Sequence, residues 1–163
     1  MRKLNVDEIM AILPVTASRI EQLTRGLSEE QLHARRKPTE WSINDILAHL
    51  RACSDVLGEC MVRIVHEDEP HWNRVSPRLY MARKTDYPSW QFAPAFEAFR
   101  KQRGELLEVL TPLPAAAWLR YAIVKASKSD IRPRSLRFYG EWLARHEDDH
   151  MPHIERIAKA LAR

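Results

Sequence analysis

Leu136-Arg137-Phe138-Tyr139-Gly140-Glu141-Trp142-Leu143-Ala144-Arg145-His146-Glu147-Asp148-Asp149-His150-Met151-Pro152-His153-Ile154-Glu155-Arg156-Ile157-Ala158-Lys159-Ala160-Leu161 is an amphipathic helix by its spacing. At about 100° per residue, Leu136, Tyr139, Leu143, Ile154, Ile157 and Leu161 share one arc, and the helix is expected over residues 135–161. His146 and His150 fall inside that arc. A histidine is costly to bury without a partner, so two of them one turn apart in an apolar seam need something that satisfies their ring nitrogens. A divalent metal is the simplest candidate, because an i,i+4 pair sits about 5–6 Å apart on one face, within reach of an ion about 2.0–2.1 Å from each nitrogen. Two core histidines bonded to a carbonyl, a tyrosine or an acid are the alternative. Pro152 removes a backbone donor after the second histidine and is expected to bend the helix.

Working outward, apolar residues recur at helical spacing in three further segments. Val6, Met10, Leu13, Ala17, Ile20 and Leu27 form a stripe for a helix over 6–26, with a kink expected at Pro14. Ser42, with Asp45 three residues on, caps a helix over 42–66 whose stripe is Ile43, Leu47, Leu50, Leu57, Met61 and Ile64. Phe92, Phe96, Phe99, Leu106 and Leu110 face inward on a helix over 90–110. A polar connection through Pro38 precedes the second helix, and residues 67–89, with Pro70, Pro77 and Pro88, form a long crossover. After residue 110, prolines bracket an irregular stretch in which Tyr121-Ala122-Ile123-Val124 is briefly extended. The expected fold is all-α, one domain over 1–163, a four-helix bundle with long crossover connections whose neighbour order the sequence leaves open.

Composition narrows the function. The 163 residues carry 26 Lys+Arg against 22 Asp+Glu, a formal charge of +4, and 45% are apolar. The longest uncharged stretch, 109–119, holds two prolines and falls short of the roughly 18 apolar residues of a membrane span. The N-terminus meets acid at Asp7 and Glu8 without an apolar run, so no signal peptide is read and a cytoplasmic location is expected. Cys53 and Cys60, seven residues apart on one helix, lie about 10 Å apart, too far for a disulfide. Bases are interspersed with acids, and Arg35-Arg36-Lys37 is offset by Glu67-Asp68-Glu69 and Glu147-Asp148-Asp149, which argues against a nucleic-acid footprint. No Gly-rich phosphate loop, nucleophile elbow or Cys-x-x-Cys occurs.

His49 sits at the flank of the second helix's arc, one turn after Asp45 and one before Cys53. With His146 and His150 it would complete a three-histidine site that keeps a position open, as a catalytic metal requires.

Glu40-Trp41-Ser42-Ile43-Asn44-Asp45-Ile46-Leu47-Ala48-His49-Leu50 and His146-Glu147-Asp148-Asp149-His150 resemble the two histidine motifs of the DinB/YfiT-like four-helix-bundle metalloproteins. Phe99-Arg100-Lys101-Gln102-Arg103 before Leu106-Leu107 is similar to that family's third helix, so the likeness spans 23–157. Position by position, the family's metal-ligand histidines fall on His49, His146 and His150. The resemblance implies a divalent Ni, Zn or Fe ion. It also implies thiol-dependent isomerisation or S-transfer on a small-molecule substrate, with mycothiol, bacillithiol or glutathione as co-substrate. His153 stands where the family often has Gln, and Pro152 is a second departure. A metal-dependent hydrolase is one alternative. A non-catalytic, stress-related or interaction bundle with a structural metal is another, and a homodimer is compatible with either.

Several residues have two readings. Glu147 is a candidate to orient a ligand imidazole or act as a base, or else a salt-bridge partner. Arg103, in the third helix's seam, must either snorkel outward or meet an acid or a ligand anion. Arg132 and Arg134 precede the last helix, where they can grip the carboxylates of an anionic thiol or stay solvated. Asp45 either accepts an N–H from His49 or serves the cap. Cys53 reads as a small buried hydrophobe, His153 as a polar group beside the ligands, and His33, His66 and His71 as surface residues.

Overall fold

Asn5 starts the first helix reciprocally: its side chain accepts the Glu8 N–H and the Glu8 carboxylate accepts the Asn5 N–H, both at 2.8 Å. The computed structural model describes residues 2–161. Helix α1 (Val6–Ile12) passes through a 3₁₀ turn at Leu13–Val15 into α2 (Thr16–Thr24). Pro14 has no N–H to offer the α-helical ladder, so the expected continuous helix is two pieces. It ends before Gly26, whose φ of 81° is left-handed and suits glycine.

A short α3 (Glu29–His33) follows, set by a capping box between Ser28 and Gln31 in what was expected to be a polar connection. Helix α4 (Ile43–His66) begins with the same device between Ser42 and Asp45. The crossover holds α5 (Pro77–Lys84), with Pro77 at its first turn, and a 3₁₀ turn at Tyr87–Ser89. Then come α6 (Phe92–Leu110), a 3₁₀ segment at Ala115–Leu119 and α7 (Leu136–Leu161), which runs on through Pro152 on its solvent face.

The chain also builds a small sheet. Strand β1 (His71–Asn73) pairs parallel with β2 (Tyr121–Lys125), and β2 pairs antiparallel with β3 (Ile131–Ser135), with Trp72 opposite Val124 and Ile123 opposite Pro133. The extended run expected at 121–124 is therefore the centre of three strands. The sheet ties the two long connections together, and its inner residues Ala122 and Val124 are buried.

Two apolar clusters fill the bundle's ends. Ile9, Leu13, Leu57, Met61, Leu106, Leu110, Leu136 and Leu143 form one, and Ile20, Ile43, Leu47, Leu50, Phe92, Phe99, Ile154 and Ile157 form the other. The early residues of α4 and α6 share a cluster with the late residues of α2 and α7. Helices α4 and α6 are thus parallel to each other and antiparallel to α1–α2 and α7. Two consecutive parallel helices cannot be joined by a tight turn, which is why a long crossover separates them. Among the described residues no helix is long and apolar enough to cross a membrane.

Candidate metal centre

Between the two clusters lies a polar layer, and the histidines belong to it. His49, in the N-terminal third of α4, is buried, whereas His146 and His150 on α7 are half-buried. They flank the α7 core arc instead of lying at its centre, which Glu147 occupies with no exposure at all. The Nε2 atoms of His49 and His146 are 2.8 Å apart, so only one of them carries the proton. Ring centroids are 5.0 Å apart for His49 and His146, 5.4 Å for His49 and His150, and 4.7 Å for His146 and His150. One ligand atom from each of the three lies within 4.8 Å of the others. An ion about 2.0–2.1 Å from each nitrogen asks for nitrogens about 3–3.5 Å apart, which small ring rotations would supply.

The electrostatics suit ligands. Burial, followed by the positive influence of His146, His150 and Arg78, pushes His49 down to about 4. Burial, with His146 and His153 nearby, takes His150 down to about 4 as well. Burial lowers His146 too, against the opposing pull of Glu147 and Asp149. All three are neutral near pH 7, with lone pairs available, as coordination requires. Aromatic rings fix their planes: Trp142 stacks on His146 at 4.5 Å, and Trp41 lies 5.0 Å from His49. Three neutral imidazoles from two helices fit a divalent ion.

His153 stacks on His150 with centroids 6.5 Å apart and stands outside the convergent trio. Cys53 Sγ is 3.6 Å from His49 Nε2, but burial, then Glu147, pushes the thiol up to about 12, so it is a protonated, buried group. Asp45 does not reach His49. Its carboxylate accepts Arg35 Nε and Nη2, each at 2.8 Å, and the Ser42 N–H at 2.9 Å, so it serves the cap. His33, His66 and His71 are exposed.

Glu147 and Arg103 answer each other. Arg103 Nη1 donates to Glu147 Oε2 at 2.7 Å and to the Leu13 carbonyl at 2.9 Å, and its Nη2 donates to Glu147 Oε1. With both oxygens engaged and both side chains buried, Glu147 is not placed as a base and Arg103 is not placed to hold a cofactor: they form a structural ion pair. Arg132 is exposed and paired with Asp130. Arg134 alone of the candidate arginines borders the cavity that opens onto His49 and His146.

That cavity holds about 400 Å³, within the range of small-molecule sites. Trp72, Val75, Phe138, Tyr139 and Trp142 wall it, together with Arg74, Arg78 and Arg134. Phe138 and Trp142 were not foreseen as site residues, yet their signal lay in the sequence. Arg134, Phe138, Trp142, His146 and His150 recur every four residues, a single column leading to the trio. Arg74 and Arg78 had no such signal, because pairing of β1 with β2 carries them in.

No curated protein matches the sequence. Among solved structures, YfiT from Bacillus subtilis, described as a probable metal-dependent hydrolase with an unusual four-helix bundle topology, superposes with a TM-score of 0.77 at 13% identity, covering 99% of this chain and 92% of that one. At that identity the match speaks for the fold. The family model of the DinB superfamily matches residues 13–154, and with the fold and the histidine trio in view, the chain belongs to the DinB superfamily.

Proposed function

We propose that this protein is a metal-dependent enzyme that uses a low-molecular-weight thiol at its three-histidine site either to form a conjugate with a small-molecule substrate or to isomerise that substrate. The carrying observation is the convergence of three neutral imidazoles, His49, His146 and His150, two of which, His49 and His146, line an open cavity. A divalent ion of the Ni, Zn or Fe class would supply Lewis acidity there, lowering the pKa of what it binds. The protein's own part is to hold the three rings and keep them neutral by burial. It also packs Trp142 against His146 and Trp41 beside His49, and leaves an open cavity for the substrate and a co-substrate such as bacillithiol, mycothiol or glutathione. A cytoplasmic location, where small thiols stay reduced, belongs to this reading.

The non-catalytic alternative needs a fourth protein ligand to close the shell, and among the described residues three side chains gather, not four. Hydrolysis is the second reading, favoured by the description of YfiT. One experiment separates them. Protein loaded with Zn²⁺, Ni²⁺ or Fe²⁺ is given each thiol together with 1-chloro-2,4-dinitrobenzene, and loss of free thiol is followed against a His49→Ala control. Metal-dependent, His49-dependent conjugation supports transfer. Metal-dependent cleavage of ester or amide substrates without thiol supports hydrolysis, and a loaded protein inert in both assays refutes an enzymatic role.

A further inference from the structure

The cavity over the histidines has a lopsided chemistry. Three guanidinium groups, those of Arg74, Arg78 and Arg134, border it, and no carboxylate does. Several arginines elsewhere have an acid, as Arg103 has Glu147, Arg35 has Asp45 and Arg63 has Glu67, although the buried Arg51 stacks on Tyr87 and Trp90 without one. Arg74, Arg78 and Arg134 have no ion-pair partner within 4 Å among the described residues. Two of them lean on aromatic rings instead, with Arg134 4.4 Å over Phe138 and Arg78 5.0 Å over Trp41. Asp130 feels the charge of Arg74 and Arg134 but is itself paired with Arg132, so a bound carboxylate or phosphate, which guanidinium groups hold bidentately, would relieve the cluster's self-repulsion.

The same cavity also collects apolar surface that folding leaves uncovered. Val75, Phe138 and Trp142 are exposed to 50%, 38% and 38%, although large apolar side chains are usually tucked away. Phe138 and Trp142 sit on the column between Arg134 and His146, so flat rings line the way from cation to imidazole.

We propose that the cavity selects a substrate with an anionic group, carboxylate or phosphate, attached to a flat apolar body. The anion would be held by Arg74, Arg78 and Arg134, and the body would lie along Phe138 and Trp142 with its other end toward His49 and His146. This deepens the enzymatic reading, because it assumes that the cavity serves the histidine site, yet recognition of the anion does not need the metal.

Isothermal titration of chelator-treated, metal-free protein tests it with three probes of one body: 2-naphthoate, 2-naphthyl phosphate and the neutral 2-naphthamide. At least one anion should bind about tenfold more tightly than the amide, in a salt-sensitive way. Arg78→Met and Arg134→Met should each erode that preference severalfold while leaving affinity for the amide unchanged. Equal binding of all three probes by the wild-type protein would overturn the proposal without any variant. So would anion preference that survives in the Arg74→Met/Arg78→Met/Arg134→Met protein. Because metal is absent, a failed thiol or hydrolysis assay leaves this result standing, and the converse also holds.

Discussion

Replacing Glu147 by Gln keeps its shape but strips the negative charge from a guanidinium that is 3% exposed and enclosed by three helices. Arg103 would then be a buried cation without a counter-charge, left with a single amide oxygen at position 147, the Leu13 carbonyl and the Ser54 hydroxyl at 3.4 Å, and facing an amide NH2 in place of the second carboxylate oxygen. Breaking one side of such a pair costs about 3–5 kcal/mol. At about 2–4 °C per kcal/mol for a chain of this size, the melting temperature should fall by about 6–20 °C. Arg103→Met should cost a similar amount by orphaning the carboxylate. The double variant Arg103→Met/Glu147→Leu removes both charges and offers apolar volume to the neighbouring clusters, so it should recover most of the loss. Thermal and urea unfolding of the four proteins closes the cycle. If the double variant is as unstable as the sum of the singles, or if Glu147→Gln costs under about 1 kcal/mol, the pair is not the central tie described above.

Other expectations are more local. Purified protein should take up about one divalent ion per chain, and elemental analysis should show uptake abolished in His49→Ala, His146→Ala and His150→Ala but unchanged in His33→Ala and His71→Ala. In the metal-free protein, His49 and His150 are held near 4 against an unfolded value of 6.5, so the unfolded chain binds protons first. Stability is full above about pH 6.5 and declines as pH falls toward 4, by about 3 kcal/mol for His49 alone, and melting curves across that window should show it. Gly140→Ala should cost about 1–3 kcal/mol, since its Cβ would come within 2.9 Å of the Trp118 ring and 3.3 Å of Ile9, and denaturant titration reads the loss.

The four bundle helices were legible because their apolar stripes are long and their caps explicit, as at Ser42 and Asp45. The His49, His146 and His150 trio was legible because burial of imidazole demands a reason. Helix α3 went unread, although Ser28 and Gln31 spell out its cap, because five residues carry too little periodicity. Strand β1 went unread because Trp72 finds Val124 across some fifty residues and three-residue pairing leaves no local pattern, and β3 because Ile131-Arg132-Pro133-Arg134-Ser135 is largely exposed and carries no alternating apolar face. The Arg103 to Glu147 pair shows the limit from another side: each residue was noticed alone in an apolar seam, but only packing shows that one satisfies the other.

The division between bundle and connections has a practical consequence. The base of the cavity stands on α4 and α7, whose burial supplies the folding free energy, while Trp72, Arg74, Val75 and Arg78 hang from the crossover and its strand. A redesigner can therefore rewrite ligand choice within a handful of connection residues and leave the scaffold's cohesion untouched. Random variation faces the same partition, so new substrates are reachable here through changes that risk little of the fold.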